Sequence, residues 1–242
     1  MNRKKIILSI LLGIIAISAM IISDKLYKEK NQSLIVESHE EFEIPEYTGL
    51  PYVQINGNKP YWDTSEITTE VYETYSELDE LGRCGVAYAN ICIDLMPTAE
   101  REEIGMIKPT GWHTIKYPEV IEDRYLYNRC HLIGYQLAGE NANEKNLITG
   151  TRYMNIEGML PFENEVATYV KKSGNHVMYR VTPIFEGENL LASGVLMEAY
   201  SVEDAGAGVC FCVYVFNVQP GIEIDYATGE SYSVMLSDRS EV

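Results

Sequence analysis

Asn128-Arg129-Cys130-His131-Leu132-Ile133 is the stretch whose reading decides this chain. It holds one of only four histidines, the others being His39, His113 and His176. His131 alone is followed by a run of amides, at Asn141, Asn143, Asn146, Asn155 and Asn164. A lone histidine in such a segment is more often structural than catalytic, and it is the amide company that points to chemistry. In an extended segment neighbours point to opposite faces, so Cys130 is turned away from His131 and a thiol–imidazole nucleophile is disfavoured.

Working outward, residues 161–172 carry Phe162, Val166, Tyr169 and Val170 at helical spacing, and Ser173-Gly174-Asn175 supplies a stop. Residues 176–185 and 190–199 are β-rich runs around Glu186-Gly187-Glu188-Asn189, which reads as a hairpin, and residues 209–218 give another strand closed by Gln219-Pro220-Gly221. Upstream, residues 52–55, 86–93 and 114–117 read as extended, with turns at Asn56-Gly57-Asn58 and Pro109-Thr110-Gly111 and a short helix or loop at Asp63-Thr64-Ser65. The class is α+β with a mixed or antiparallel sheet.

The chain has 242 residues, 46% of them apolar and 23% charged, which excludes a disordered chain and a small disulfide scaffold. Its net charge is −17, and removal of residues 1–30, with six bases and two acids, leaves 13 bases against 34 acids, or −21. A broadly basic surface gripping nucleic acid is therefore excluded, and any nucleic-acid site must be local. Met-Asn-Arg-Lys-Lys precedes an uncharged run over residues 6–22, which predicts a signal peptide or N-terminal membrane anchor over residues 1–23 and export of the remainder. An uncleaved anchor is the preferred form, because the small residues around Ala16-Ile17-Ser18-Ala19 make only a blurred cleavage site. Residues 24–50, with Glu37, Glu40, Glu41, Glu43 and Glu46, read as a linker to a domain over residues 51–242. Five cysteines allow at most two bridges; Cys84 and Cys92 are a feasible pair, whereas Cys210 and Cys212 share a strand face and do not suit one. No zinc-ligand spacing, P-loop or dinucleotide-binding glycine motif occurs.

Three blocks carry a resemblance: residues 128–133 quoted above, Asn146-Leu147-Ile148-Thr149-Gly150-Thr151-Arg152-Tyr153-Met154-Asn155, and Met159-Leu160-Pro161-Phe162-Glu163-Asn164. With an asparagine entering a helix 24 positions after the histidine, the chain from about residue 80 to 232 resembles the DNA/RNA non-specific endonucleases of the ββα-metal (His-Me finger) superfamily, in the secreted or membrane-anchored form of Gram-positive bacteria. The family usually has Asp-Arg-Gly-His around the base; here Asn128 replaces the acid and Cys130 the glycine. Asparagine keeps an acceptor oxygen and loses the charge that tunes a neighbour.

The resemblance implies a ββα-metal fold and metal-dependent hydrolysis of DNA, and of RNA, leaving 5′-phosphate ends. Neutral His131 would be the general base, an effect worth roughly 10²- to 10⁴-fold. Asn155 would be the protein ligand to Mg²⁺, a hard cation that prefers oxygen, with Mn²⁺ meeting the same preference. Glu163, eight residues later, matches a carboxylate that in the family holds a water of the metal's shell. Arg129 and Arg180 are the candidate phosphate contacts, Asn146 and Asn164 the candidates for orienting substrate or loop, and Arg152 lies within the matching block. The rival reading is a non-catalytic surface protein that reuses the fold to bind DNA or a partner, which would have no need of His131.

Overall fold

The structure, a computed structural model, describes residues 43–121 and 125–234. The expected anchor over residues 1–23 and the first part of the expected linker lie outside the described residues. Among the described residues no helix is long and apolar enough to cross a membrane.

The frame is a six-stranded antiparallel sheet. Its strands are β1 (Tyr52–Gln54), β2 (Glu73–Tyr75), β3 (Ala87–Ile91), β6 (Val177–Ile184), β7 (Gly194–Ser201) and β8 (Cys210–Phe216), in the spatial order β1-β8-β7-β6-β3-β2. A separate ribbon pairs β4 (Tyr127–His131) with β5 (Leu147–Thr151), and a second pairs β9 (Ile222–Ile224) with β10 (Ser231–Ser233). The helices are the short α1 (Tyr135–Ala138) and α2 (Leu160–Ser173), the latter entered through a π-helical segment, Met154–Met159.

Strand alternation separates the two faces of the sheet. Ala87, Ala89, Val177, Tyr179, Val181, Val195, Met197, Phe211 and Val213 form one face, buried beneath Val166, Ala167 and Val170 of α2 and beneath Cys130, Leu132 and Ile148 of the ribbon region. This core clamps the ribbon and α2 to the sheet, and so fixes the position of His131. The helix stops as expected, at Gly174 with φ 73°, where a left-handed residue closes the last turn, and Lys171 and Lys172 meet the negative end of its dipole.

Several expectations shift. The strand expected to begin at residue 190 begins at Gly194, because Leu190 and Leu191 leave the ladder to pack in a second core with Tyr117, Leu126 and Ile222. Residues 114–117 form no strand; Lys116 makes a single bridge to Tyr125, and the segment is held through that same second core. Cys84 and Cys92 are not bridged, and all five cysteines are free thiols. Cys84 instead donates to the carbonyls of Glu144 and Leu147, at 3.2 and 3.1 Å, which ties the loop before β5 to the sheet.

Candidate active site

His131 ends β4, opposite Leu147 at the start of β5. Between these two residues the chain makes an excursion closed by Asn146. Its side-chain Oδ1 accepts from Ile133 N–H at 2.8 Å, its Nδ2 donates to Ile133 O at 3.0 Å, and its own carbonyl accepts from Leu132 N–H at 2.9 Å. Asn146 thereby imitates one further strand pair, and it is fully buried. The closed loop brings the Asn141 carbonyl 2.8 Å from His131 Nε2. A carbonyl only accepts, so Nε2 carries the proton and Nδ1 is left with the lone pair.

His131 is 6% exposed, and this burial, reinforced by the nearby Arg101 charge, holds its pKa below the ordinary histidine value despite the opposing pull of the Asn141 carbonyl. The ring is therefore neutral near pH 7, with Nδ1 as the basic atom. Arg101 Nη2 stands 3.4 Å from that nitrogen. Nothing in the sequence singles out Arg101, which lies 30 residues upstream in an acid-rich loop and is carried to the site by the tertiary fold alone.

The second ionisable group is Glu163, in the first turn of α2 and 9% exposed. Its carboxylate lies against the backbone of Gly134, the residue preceding α1: a Cβ there would sit 2.6 Å from Glu163 Oε2. Burial pushes its pKa up to about 7, against the lowering effects of a Gln136 hydrogen bond and the Arg101 charge. Arg101 is thus felt by both the base and the carboxylate. Asn155 lies half-buried in the π-helical segment, and its side-chain amide forms no hydrogen bond with the described residues. The segment is anchored by the Met154 N–H bond to Thr151 Oγ1, 3.0 Å, which starts the helix directly off β5.

A neutral buried imidazole at the end of a ribbon, and a free amide and a buried carboxylate on the helical segment that follows it, are the groups the candidate site offers. Residues 63–203, more than half of the chain, match the family described as DNA/RNA non-specific endonuclease. The chain belongs to that family. Its members hydrolyse phosphodiester bonds. The NucA nuclease of Streptococcus agalactiae, solved with no metal bound, is 25% identical with a TM-score of 0.67, covering 78% of this chain and 89% of that one. The same protein with magnesium bound gives 0.66, and the Sda1 nuclease with a bound zinc ion is 28% identical with a TM-score of 0.64, covering 77% of this chain and 97% of that one. A deoxyribonuclease of Streptococcus dysgalactiae subsp. equisimilis is 33% identical over 110 residues, 43% of this chain. The chain matches about a third of that relative's length, 32%.

For this member of the endonuclease family, the donors present fit a hard cation. Among the described residues no three His, Cys, Asp or Glu side chains converge, so a cage of protein ligands of that kind is absent. What is offered is one amide oxygen and one carboxylate eight residues further along the same helical segment, a donor set that leaves most of an octahedral shell to water, as Mg²⁺ prefers. Asn155 would hold the ion and Glu163 would support its hydration.

The remaining expected site residues lie as follows. Arg129 projects from the same strand face as His131, but its guanidinium donates to the carbonyls of Ile107 and Gly105 and stacks 4.0 Å above Trp112. It braces the loop that follows Arg101. Arg152 lies half-buried at the end of β5, its N–H bonded to the Leu126 carbonyl. Asn164 is exposed on α2 and accepts from Gln136 at 3.1 Å, next to the Gln136 contact with Glu163. Arg180 is not brought to the site. It points to the opposite face of the sheet, 4% exposed, and donates to both carboxylate oxygens of Glu198 at 2.6 and 2.9 Å. Cys130 is fully buried, burial pushes its thiol pKa far up, and it is no nucleophile.

Proposed function

We propose that the protein is an exported, metal-dependent, non-specific endonuclease that hydrolyses phosphodiester bonds of DNA and RNA and leaves 5′-phosphate ends. The observation that carries this reading is the state of His131: Nε2–H is given to the Asn141 carbonyl, and burial and the Arg101 charge keep the ring neutral, so Nδ1 is ready to take a proton. Water attacking phosphorus forms its bond as the P–O3′ bond breaks; its proton passes to Nδ1, and the leaving 3′ oxygen takes a proton from solvent. The Asn141 carbonyl then faces the developing imidazolium and stabilises its positive charge. Arg101, 3.4 Å from Nδ1, stands where a phosphate would arrive and would pair with its oxygens. Glu163 and Asn155 supply oxygen donors for Mg²⁺, with Mn²⁺ as a substitute. When bound, the cation neutralises charge on the phosphate and on the leaving oxygen.

Export and tethering rest on the basic start and the apolar run of residues 6–22. The acidic body, −21 without residues 1–30, fits a local cation-assisted site and no general affinity for nucleic acid. The test incubates the purified full chain with plasmid and with total RNA, in Mg²⁺ or in EDTA, and assigns the product ends with a 5′-phosphate-dependent exonuclease. Metal-dependent cutting to 5′-phosphate fragments supports the proposal. Retention of DNA on a gel with no cutting in any divalent metal contradicts it and supports the binding-protein reading.

A further inference from the structure

We propose that the π-helical turn over Met154–Met159 sets the register of the site: its one additional residue turns the Asn155 amide onto the line of the Glu163 carboxylate, so that both address one cation. This rests on the metal-nuclease reading above. The two residues are eight apart. An α-helix advances about 100° per residue, so eight residues overshoot two full turns by about 80°, and the two side chains would leave the helix on different faces. Here the Leu160 N–H reaches the Asn155 carbonyl, an i→i+5 bond that takes up one residue more than an α turn. Eight residues then act as about seven, which fall within about 20° of two turns, with about 10 Å between them along the axis. That distance is too long for both groups to touch one ion at about 2.1 Å, so Asn155 would hold the ion directly and Glu163 would reach it through a water of its shell.

The buried stripe of the helix records the same change of period. Met154 is followed by Gly158 and Met159 and then by Glu163, at intervals of four to five, whereas Glu163, Val166, Ala167 and Val170 follow at three to four. Two residues make the wide turn feasible. Pro161 has no N–H to give the Glu157 carbonyl and its ring crowds that carbonyl, so the ladder shifts at this point without loss of a donor. Gly158 lets the widened turn lie against β8, where a Cβ would come within 2.3 Å of Val215 Cγ1.

The experiment compares full-length chains: native, one with the exposed Glu157 deleted, one with an alanine inserted after Glu157, and the inserted chain carrying Asn155→Ile and Ile156→Asn. Mn²⁺ binding without nucleic acid is read by electron paramagnetic resonance, cutting is assayed in parallel, and circular dichroism and thermal unfolding report the fold. Deletion leaves seven residues of plain helix, still in line, so Mn²⁺ affinity stays within about threefold of native, well short of the roughly 10- to 100-fold that loss of a supporting group costs. Insertion breaks the line and weakens binding by about 10- to 100-fold in a folded chain. The double substitution puts asparagine eight residues before Glu163 again and restores binding. Folded deletion and insertion chains that are equally impaired, or an inserted chain that binds like native, would overturn the inference. Should the deletion chain fail to fold, the inserted chain and its compensated form decide. A native chain that neither binds Mn²⁺ nor cuts overturns the nuclease reading and this inference with it, whereas native binding without the asymmetry overturns the inference alone.

Discussion

Two buried glutamates project into opposite sides of the same sheet, and they are held in different ways. Glu198, on β7, lies directly across from Arg180 of β6, receives two guanidinium hydrogen bonds and a third from Tyr61 N–H at 2.7 Å, and is fully buried. Glu163, on α2, has no such fork; it rests on the backbone of Gly134 with one amide donor from Gln136 and a guanidinium near enough only to shift its pKa. The difference separates a structural charge from the one proposed to serve the metal. A buried carboxylate whose acceptors are filled fastens two strands, whereas one left with acceptor capacity and a raised pKa is available to a ligand.

Removal of the fork should give the largest effect on stability. Arg180→Ala leaves Glu198 buried and uncompensated, an expected loss of about 3–5 kcal/mol by urea unfolding, with cutting per folded molecule unchanged. Glu163→Gln should do the reverse, lowering cutting by about 10- to 100-fold through weaker metal support while leaving the fold intact. The folded pKa of Glu163 lies above the ordinary carboxylate value, so the folded state holds the extra proton. Stability of the metal-free chain should therefore be highest below pH 4.5 as far as this group is concerned, and fall by about 3 kcal/mol as pH rises to about 7 and beyond. Glu163→Gln should remove that slope in EDTA, and a slope that survives the substitution would assign it to another group. Gly134→Ala drives a methyl group into the carboxylate, so a loss of about 1–3 kcal/mol in transition-state stabilisation, read as kcat/KM, is expected with a smaller change in melting temperature. The smallest effect concerns the electrostatics of the cleft. With about two phosphates engaged by local cations, binding should weaken by about tenfold between 50 and 200 mM salt, and a flat response would contradict phosphate-driven binding.

The same contrast explains what could be read in the sequence. A motif and its spacing single out His131, Asn155 and Glu163 as candidates, and α2 is legible from Phe162, Val166, Tyr169 and Val170 together with its glycine stop. Arg180 was misleading in isolation. A single cation in a strand of otherwise buried residues needs a buried partner, and that partner, Glu198, is identified only by the register of the hairpin. Arg101 was illegible because its neighbours Glu100, Glu102 and Glu103 make the segment look like a solvated loop, and only tertiary closure brings it to His131. The π-helical turn is hidden too: the regular apolar period begins at Pro161, while the wide turn lies before it. Residues 114–117, which read as extended, make one antiparallel bridge, Lys116 to Tyr125, and no longer ladder, because Ile115 and Tyr117 pack into the small second core.

The central claim is that His131 Nδ1 is the base of a cation-assisted phosphodiester cleavage. Its most direct test is the single-turnover cutting rate of labelled DNA by the native chain and by His131→Ala, each in saturating Mg²⁺, with melting temperatures measured in parallel. The account predicts a rate lower by roughly 10²- to 10⁴-fold in a variant that still folds and still binds Mn²⁺. A folded His131→Ala chain that cuts at the native rate would contradict it.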